Sequence, residues 1–232
     1  MSKVIMSGIV PKLTVPCPYP DNFSDATWEQ IIDACQKNKV PDTWNVADQN
    51  IMVINGANYV IDIIGKNHDT YTSGGTAPLT FQMHDLYATK YQMNSSDTNS
   101  GGYDSTAMHT THLPAIMNLM PAEVKAAIKQ VNKKSSAGSQ SNTIETIACN
   151  LFLLSEVEIF GSTTYSKSGE GTQYAYYKAG NSKVKNLSGS ADGWWERSPH
   201  GSDSVYFCAV YIGGAGASGA SDSRGVPFAF CF

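Results

Sequence analysis

The sequence predicts an α+β domain rich in loops, and three observations lead to that class. Two segments place apolar residues at the i, i+3, i+4 spacing of a helix packed on a core. An Asn-Gly pair separates two runs rich in β-branched residues, which is typical of a β-hairpin. The end of the chain alternates apolar runs with Gly/Ser/Ala stretches, as strands joined by loops do. At 232 residues the chain can bury a full core.

The N-terminal half is predicted to contain an extended lead-in, a helix and a hairpin. Four prolines between positions 11 and 20 favour extended backbone over residues 1–22. We expect the helix to begin with Ser24 or Asp25 as its N-cap and to end before Pro41. The hairpin is expected to turn at Asn55-Gly56.

The C-terminal half is predicted to contain one more helix and several strands. The helix runs from about Pro121 to Lys133, because proline suits its first turn and lysine its last. The run YAYY at 174–177 is a candidate for a short strand. The last residues divide into a strand at 204–212, a loop at 213–225 and a terminal strand at 226–232.

Composition argues against several classes of function. The net charge of −4 and the lack of a basic patch argue against nucleic-acid binding. We see no signal peptide and no apolar run long enough to enter a membrane. The five cysteines are scattered without CxxC spacing, so we expect buried free thiols and neither a disulfide framework nor a zinc site. No metal or cofactor is expected.

Three polar motifs have interpretations simpler than catalysis. His109 and His112 have HxxH spacing, but no carboxylate pattern accompanies them as it would at a metal site. Asp69, in the run NHD, is expected to accept local backbone hydrogen bonds in a turn. Glu156 and Glu158 are two positions apart, which suits the solvent face of a strand as well as a pair of catalytic carboxylates.

The last 36 residues, Arg197 to Phe232, contain no Lys, Glu, Gln, Met or Trp. The first 196 contain 41 of them, so at that rate the tail would hold about seven or eight. None of these five residues has a codon ending in C or T, whereas every tail residue has a codon ending in C. This deficit is expected where asparagine codons AAC are randomised at their adenines. The alternative is a Gly/Ser/Ala-rich loop region that simply lacks long side chains.

The motif WWERSP, followed by the ending GVPFAF, resembles the variable proteins of diversity-generating retroelements in gut bacteria and their phages. It is similar in particular to those with a C-type-lectin-like domain. Further segments agree in order, so that the resemblance covers about residues 23–232. The segments are Trp194–Pro199, Gly225–Phe230, 63–69, 93–108 and 151–161. Two departures from the family are the lack of an Arg near His109 and the acidic Glu196 at a position expected to be hydrophobic.

The resemblance implies a C-type-lectin-like fold in which two helices pack on small twisted antiparallel sheets. The variable region would lie at about 194–232, and residues 1–22 would serve as an attachment or oligomer contact. The EPN, QPD and WND patterns of calcium-dependent sugar-binding lectins are missing, so neither calcium nor sugar is implied.

Within the tail we distinguish scaffold anchors from diversified positions. The strongest contact candidates are Tyr206, Tyr211 and Arg224, since tyrosine and arginine dominate binding hot spots. The anchors are Trp194, Trp195, Arg197, Phe207, Val226, Phe228 and Phe230. The positions expected to be diversified and exposed are His200, Gly201, Ser202, Asp203, Ser204, Tyr206, Tyr211, Ile212, Gly213, Ala215, Ser218, Gly219, Ser221, Asp222 and Arg224.

These features predict a non-enzymatic, ligand-binding protein carried on a phage virion or a bacterial cell surface. Its partner would be an unknown protein or cell-surface ligand, and oligomerisation or attachment to a larger particle would add avidity. One alternative is a fixed structural tail protein of a phage. The other is an oxidase similar to formylglycine-generating enzymes, which would need Cys208 and Cys231 as a metal-binding or redox pair.

Overall fold

The computed structural model of the protein describes residues 18–232, so most of the predicted lead-in at 1–22, including Cys17, lies outside the described residues. Five short α-helices occur in the described part: α1 (Trp28–Gln36), α2 (Leu113–Met117), α3 (Ala122–Ala127), α4 (Glu156–Phe160) and α5 (Ala175–Lys178). Eleven strands accompany them: β1 (Gln49–Ile54), β2 (Ala57–Lys66), β3 (Leu79–Met83), β4 (Val131–Ser136), β5 (Ile144–Cys149), β6 (Lys185–Leu187), β7 (Ser190–Asp192), β8 (Trp194–Pro199), β9 (Tyr206–Tyr211), β10 (Gly214–Gly219) and β11 (Ala229–Cys231).

The predicted α+β class is confirmed, although five short helices take the place of the two expected. The strands form four small sheets whose ladders are antiparallel. None of the helices found between residues 18 and 232 has the length and apolar character needed to cross a bilayer.

The largest sheet has the order β1-β2-β3-β11. Its β1–β2 hairpin turns at Asn55-Gly56 as predicted, and both residues have positive φ, 49° and 78°, as a type I′ turn requires. The terminal strand β11 pairs with β3, with Phe230 opposite Phe81. The end of the chain therefore closes the sheet that the first hairpin begins.

Helix α1 begins later than predicted. Ser24 and Asp25 lie in a 3₁₀ turn, and the N-cap is Thr27. The Thr27 hydroxyl accepts from the Gln30 backbone, and the Gln30 side chain accepts from the Thr27 backbone. This reciprocal capping box satisfies the free N–H groups of the first turn better than the two predicted caps.

The helix predicted at Pro121–Lys133 is wrong in its second half. Pro121 is the N-cap of α3, which ends at Ala127, and the chain then enters β4. Strand β4 pairs along its whole length with β5, and its Lys133 is buried among acidic side chains. These partners are distant in sequence, and they override the local helical pattern.

Two further predictions in the C-terminal half are wrong. The run YAYY is not a strand, because Tyr174 is the N-cap of helix α5 and the next three residues lie within that helix. All three tyrosines of the run are buried. The segment predicted as a loop at 213–225 contains β10, which pairs with β9 from Tyr211↔Gly214 to Tyr206↔Gly219. Glycine, alanine and serine give β10 no alternation of apolar and polar residues, so the pattern carried no signal.

Candidate binding surface on the C-terminal hairpin

The surface is built on the sheet β10-β9-β8, which the predicted anchors hold against the core. Trp194 and Trp195 on β8 lie opposite Val210 and Ala209 on β9, and their indole N–H groups donate to backbone carbonyls. The anchors are all fully buried: Trp194, Trp195, Arg197, Phe207, Val226, Phe228 and Phe230.

Arg197 fixes the base of the sheet through charge and hydrogen bonds. Its guanidinium makes a two-pronged contact with the Glu158 carboxylate, one prong 2.9 Å long, and donates to the carbonyls of Lys134, Leu153 and Glu170. Burial disfavours the charged form of Glu158, but Arg197 and Lys133 outweigh it and lower the pKa of that carboxyl.

Two of the acidic residues considered for catalysis, Asp69 and Glu158, belong to the same buried network. The Lys133 ammonium lies 2.7 Å from both Asp69 and Glu158, and Tyr174 and Thr80 donate to Asp69. Asp69 is therefore not a local turn acceptor as predicted. Glu156 and Glu158 are buried on α4, so their assignment to the solvent face of a strand is also wrong. The charges satisfy one another, which indicates a structural role.

Glu196 is the exception among the buried charges. It lies in a bulge of β8, where the register against β9 shifts between Trp195 and Pro199. It is fully buried, and neither carboxylate oxygen has a hydrogen-bond partner. Burial, reinforced by the nearby Glu156 and Glu170, raises the pKa of Glu196 well above its usual value. The hydrophobic residue that the resemblance led us to expect here would fit this environment better than glutamate does.

Thirteen of the fifteen positions predicted to be variable are partly or fully exposed. Ile212 is 77% exposed, the highest value among the large hydrophobic side chains that the structure describes. Ser218 and Gly219 are buried, which contradicts the prediction for these two. The Ser218 hydroxyl bonds with Asp222 and Arg224, and a Cβ at Gly219 would lie 2.7 Å from an Asp97 oxygen. The chain folds back over this end of β10.

Two of the three contact candidates meet on one side of the hairpin. The Arg224 guanidinium lies 5.1 Å from the centre of the Tyr211 ring, and its Nε donates to Ser218 at 2.9 Å. The ring lies across the sheet above Gly216, where a Cβ would be 2.5 Å from it. This stack presents a large, rigid and partly polar contact area.

The third candidate, Tyr206, lies at the opposite end of β9 in a separate aromatic group. Its ring is 6.2 Å from that of His200, which in turn lies 5.5 Å from Tyr165. Tyr165 comes from the loop after α4, and the buried Glu156 holds this loop by accepting from its backbone. Tyr165 lies outside the predicted variable region, so sequence reasoning missed it.

The segment 91–99 fastens the exposed loops through the main chain. Tyr91 exchanges two backbone hydrogen bonds with Arg224, and the Asn94 N–H donates to the Ala220 carbonyl. The Asn99 amide donates to the carbonyls of Asp203 and Tyr206 at 2.7 and 2.9 Å. These contacts do not depend on which side chains the tail carries. The sequence offered no local signal for them, because 91–99 is a polar segment without periodicity.

The hairpin tip at Ile212-Gly213 has an unusual residue for its conformation. Its φ values are 47° and 81°, close to those of Asn55-Gly56 at the β1–β2 turn and Ser188-Gly189 at the β6–β7 turn. The first position of such a turn needs a left-handed backbone, which asparagine tolerates and β-branched residues disfavour.

The cysteines and the histidine pair give no support to redox or metal chemistry. Cys208 and Cys231 are buried free thiols on strands of different sheets, and burial raises the pKa of both. His109 lies 3.5 Å from Asp104, and His112 stacks on Tyr91. Within residues 18–232, no group of three or more His, Cys, Asp or Glu side chains is arranged to hold a metal ion.

Comparison with known proteins places the chain in a family. A search of curated proteins and a search of solved structures each returned no match. Residues 79–232 match the family model described as Domain of unknown function (DUF6273). The match begins at the first residue of β3 and includes Lys133, Glu158, Arg197 and the whole tail. Since it covers about two thirds of the sequence, the chain belongs to the DUF6273 family.

Proposed function

We propose that this chain is a ligand-binding protein with a C-type-lectin-like domain, whose C-terminal surface is diversified by a retroelement. The ligand would be a receptor or another protein on a host surface, and the chain would be carried on a phage virion or a bacterial cell. The observation that carries the proposal is the division of the tail into two classes. The anchors are fully buried, whereas thirteen of the fifteen residues expected to vary are partly or fully exposed.

The way the tail is held also supports the proposal. A surface that accepts many sequences needs a backbone whose position is independent of its side chains. Segment 91–99 and strand β9 hold the loops largely through main-chain hydrogen bonds. Substitution at the exposed positions would then change the ligand without unfolding the scaffold.

The turn at Ile212-Gly213 supports the proposed origin of the diversity. Its conformation calls for Asn-Gly, the pair found at the equivalent turn Asn55-Gly56. An AAC asparagine codon whose second base changes from adenine to thymine becomes ATC, which encodes isoleucine. Ile212 is thus the residue that adenine mutagenesis would leave in a turn built for asparagine.

Sequencing of the genomic locus tests the proposal. We expect a second copy of the tail-coding sequence beside a reverse transcriptase gene, with AAC at exposed positions and specifically at codon 212. Mismatches between the two copies should be confined to adenines of the template. Mismatches spread over all four bases would contradict the proposal. A tail that is identical between isolates would instead favour the fixed structural tail protein.

A further inference from the structure

Strand β10 is an outer strand of its sheet. The N–H and C=O groups of its successive residues point alternately toward β9 and away from the sheet. The two-residue turn at Ile212-Gly213 makes Tyr211 and Gly214 a hydrogen-bonded pair, and such pairs alternate along an antiparallel ladder. The N–H and C=O groups of Gly214 and Gly216 therefore point toward β9. Those of Ala215 and Ala217 point away from the sheet.

The outward groups are nearly without partners in the part of the chain that the structure describes. There, no hydrogen bond is donated by the N–H group of Ala215 or of Ala217, and none is accepted by the Ala215 carbonyl. The Ala217 carbonyl has one long contact, 3.4 Å, with the Tyr211 hydroxyl. Four main-chain groups, two donors and two acceptors, thus form a short row at the surface.

Other outer strands of the two larger sheets are covered at their edges. The Trp28 indole donates to the Ile51 carbonyl on β1, and the Lys129 N–H donates to the Cys231 carbonyl on β11. On β8 the Trp195 N–H donates to Gly225. Strand β10 has no such cover at Ala215 and Ala217 and no charged side chain along its length. Open edges of this kind add further strands.

We propose that β10 pairs in antiparallel with β10 of a second copy of this chain, about a two-fold axis at Gly216. Ala215 would then pair with Ala217 of the second copy, and Ala217 with Ala215 of the second copy. All four outward groups of each chain would be used, donor to acceptor. The two Gly216 residues would face each other at the close pair of the ladder, with no side chain between them. Two three-stranded sheets would become one of six strands.

A second copy fits this edge better than an unrelated strand. The edge is close to symmetrical in sequence about Gly216 and is uncharged, so an identical strand meets no repulsion. The Tyr211 ring lies directly above Gly216, so two rings would flank the seam and add apolar contact. Because the paired segment is short, the dimer is weaker than one with an interface of standard size. It would place two Tyr211–Arg224 stacks on one continuous surface.

Sedimentation velocity and amide hydrogen exchange on the full chain, between roughly 10 μM and 1 mM, test this proposal. We expect the sedimentation coefficient to rise with concentration. Exchange at the Ala215 and Ala217 amides should slow by about tenfold or more. The Gly216 amide, which bonds to β9, should be protected at every concentration.

Two variants separate edge pairing from general association. Ala217→Lys places a charge at the edge and should abolish both changes. Ala191→Lys, the same change at an exposed alanine of β7, should leave them as in the wild type. A wild-type chain that stays monomeric with freely exchanging Ala215 and Ala217 amides would overturn the proposal, as would an A217K variant that dimerises normally. Neither result bears on the retroelement proposal, which the locus sequence decides.

Discussion

Three two-residue turns in this chain share one backbone conformation but differ in their first residue, which is Asn55, Ser188 or Ile212. A left-handed conformation costs an L-residue about 1–2 kcal/mol, and asparagine is the residue that most often tolerates it. Ile212 also exposes most of its side chain to water. Neither stability nor solubility therefore accounts for isoleucine at this position, whereas the proposed mutagenesis of an asparagine codon would.

We predict that Ile212→Asn raises the free energy of unfolding by about 1 kcal/mol, because it relieves the unfavourable backbone conformation. Urea denaturation monitored by tryptophan fluorescence measures the change. The reciprocal variant Asn55→Ile places isoleucine in the matched turn and should lower stability by a similar amount. A neutral or destabilising I212N would mean that the Ile212 side chain has a stabilising contact of its own.

At the scale of elements, segment 91–99 holds the loops on either side of the tail hairpin. Asn99 is buried and joins three parts of the chain: its amide group donates to Asp203 and Tyr206, and its oxygen accepts from the Ser139 N–H at 2.6 Å. A single side chain thus fixes the loop between β8 and β9. Asp97 makes a comparable contact with Ser221, but at the surface.

Asn99→Ala should destabilise the fold by about 1–3 kcal/mol, because the Asp203 carbonyl loses its donor and the Ser139 N–H loses its acceptor. Hydrogen exchange should accelerate first in the loop at 200–205, before the rest of β9. Asp97→Ala serves as the matched control, since its contact with Ser221 lies at the surface and should contribute much less to stability. Equal effects of the two variants on the loop would show that Asn99 does not hold it.

The elements predicted correctly from sequence are those whose signal is local. Asn55-Gly56 sets its hairpin by turn chemistry alone, and WWERSP is buried because two tryptophans need a core. Strand β4 could not be predicted, because its strand state depends on β5 and on partners of Lys133 that are far away in sequence. Strand β10 could not be predicted either, since its small residues carry no pattern and only pairing with β9 defines it.

At the scale of the whole molecule, the core combines a balanced charge network with acids that have no counter-charge. Lys133 and Arg197 balance the charges of Asp69 and Glu158. Burial disfavours the charged form of Asp69, but the Lys133 ammonium outweighs it and lowers the pKa of Asp69 to about 2. Glu170 and Glu196 lie on the other side of Arg197, and burial raises the pKa of Glu170 to about 7. The sequence alone could not assign these roles, because all four carboxylates look alike until their neighbours are known.

Glu196 makes the folded protein less stable as the pH rises. Burial raises the pKa of its carboxyl well above the ordinary value of 4.5 that it has in the unfolded chain. The folded state binds the proton of Glu196 more tightly than the unfolded state does. The resulting contribution to the free energy of unfolding is complete below pH 4.5 and is lost as the pH rises. Removing the carboxyl should accordingly matter little in acid and increasingly at neutral and alkaline pH.

We predict that Glu196→Leu is more stable than the wild type at pH 7, because no unpartnered acid is then buried. The advantage should grow as the pH rises above 4.5, by up to about 1.4 kcal/mol per pH unit, which is the linkage slope for one proton. Urea denaturation of both proteins across this range measures the difference, with Glu145→Leu at an exposed position as control for the lost charge. Burial lowers the pKa values of His68, His109 and His112, so these residues make the protein more stable as the pH rises. Both proteins contain them, so their effect cancels in the difference. An advantage that stays constant with pH would mean that Glu196 finds a partner for its charge in the folded protein.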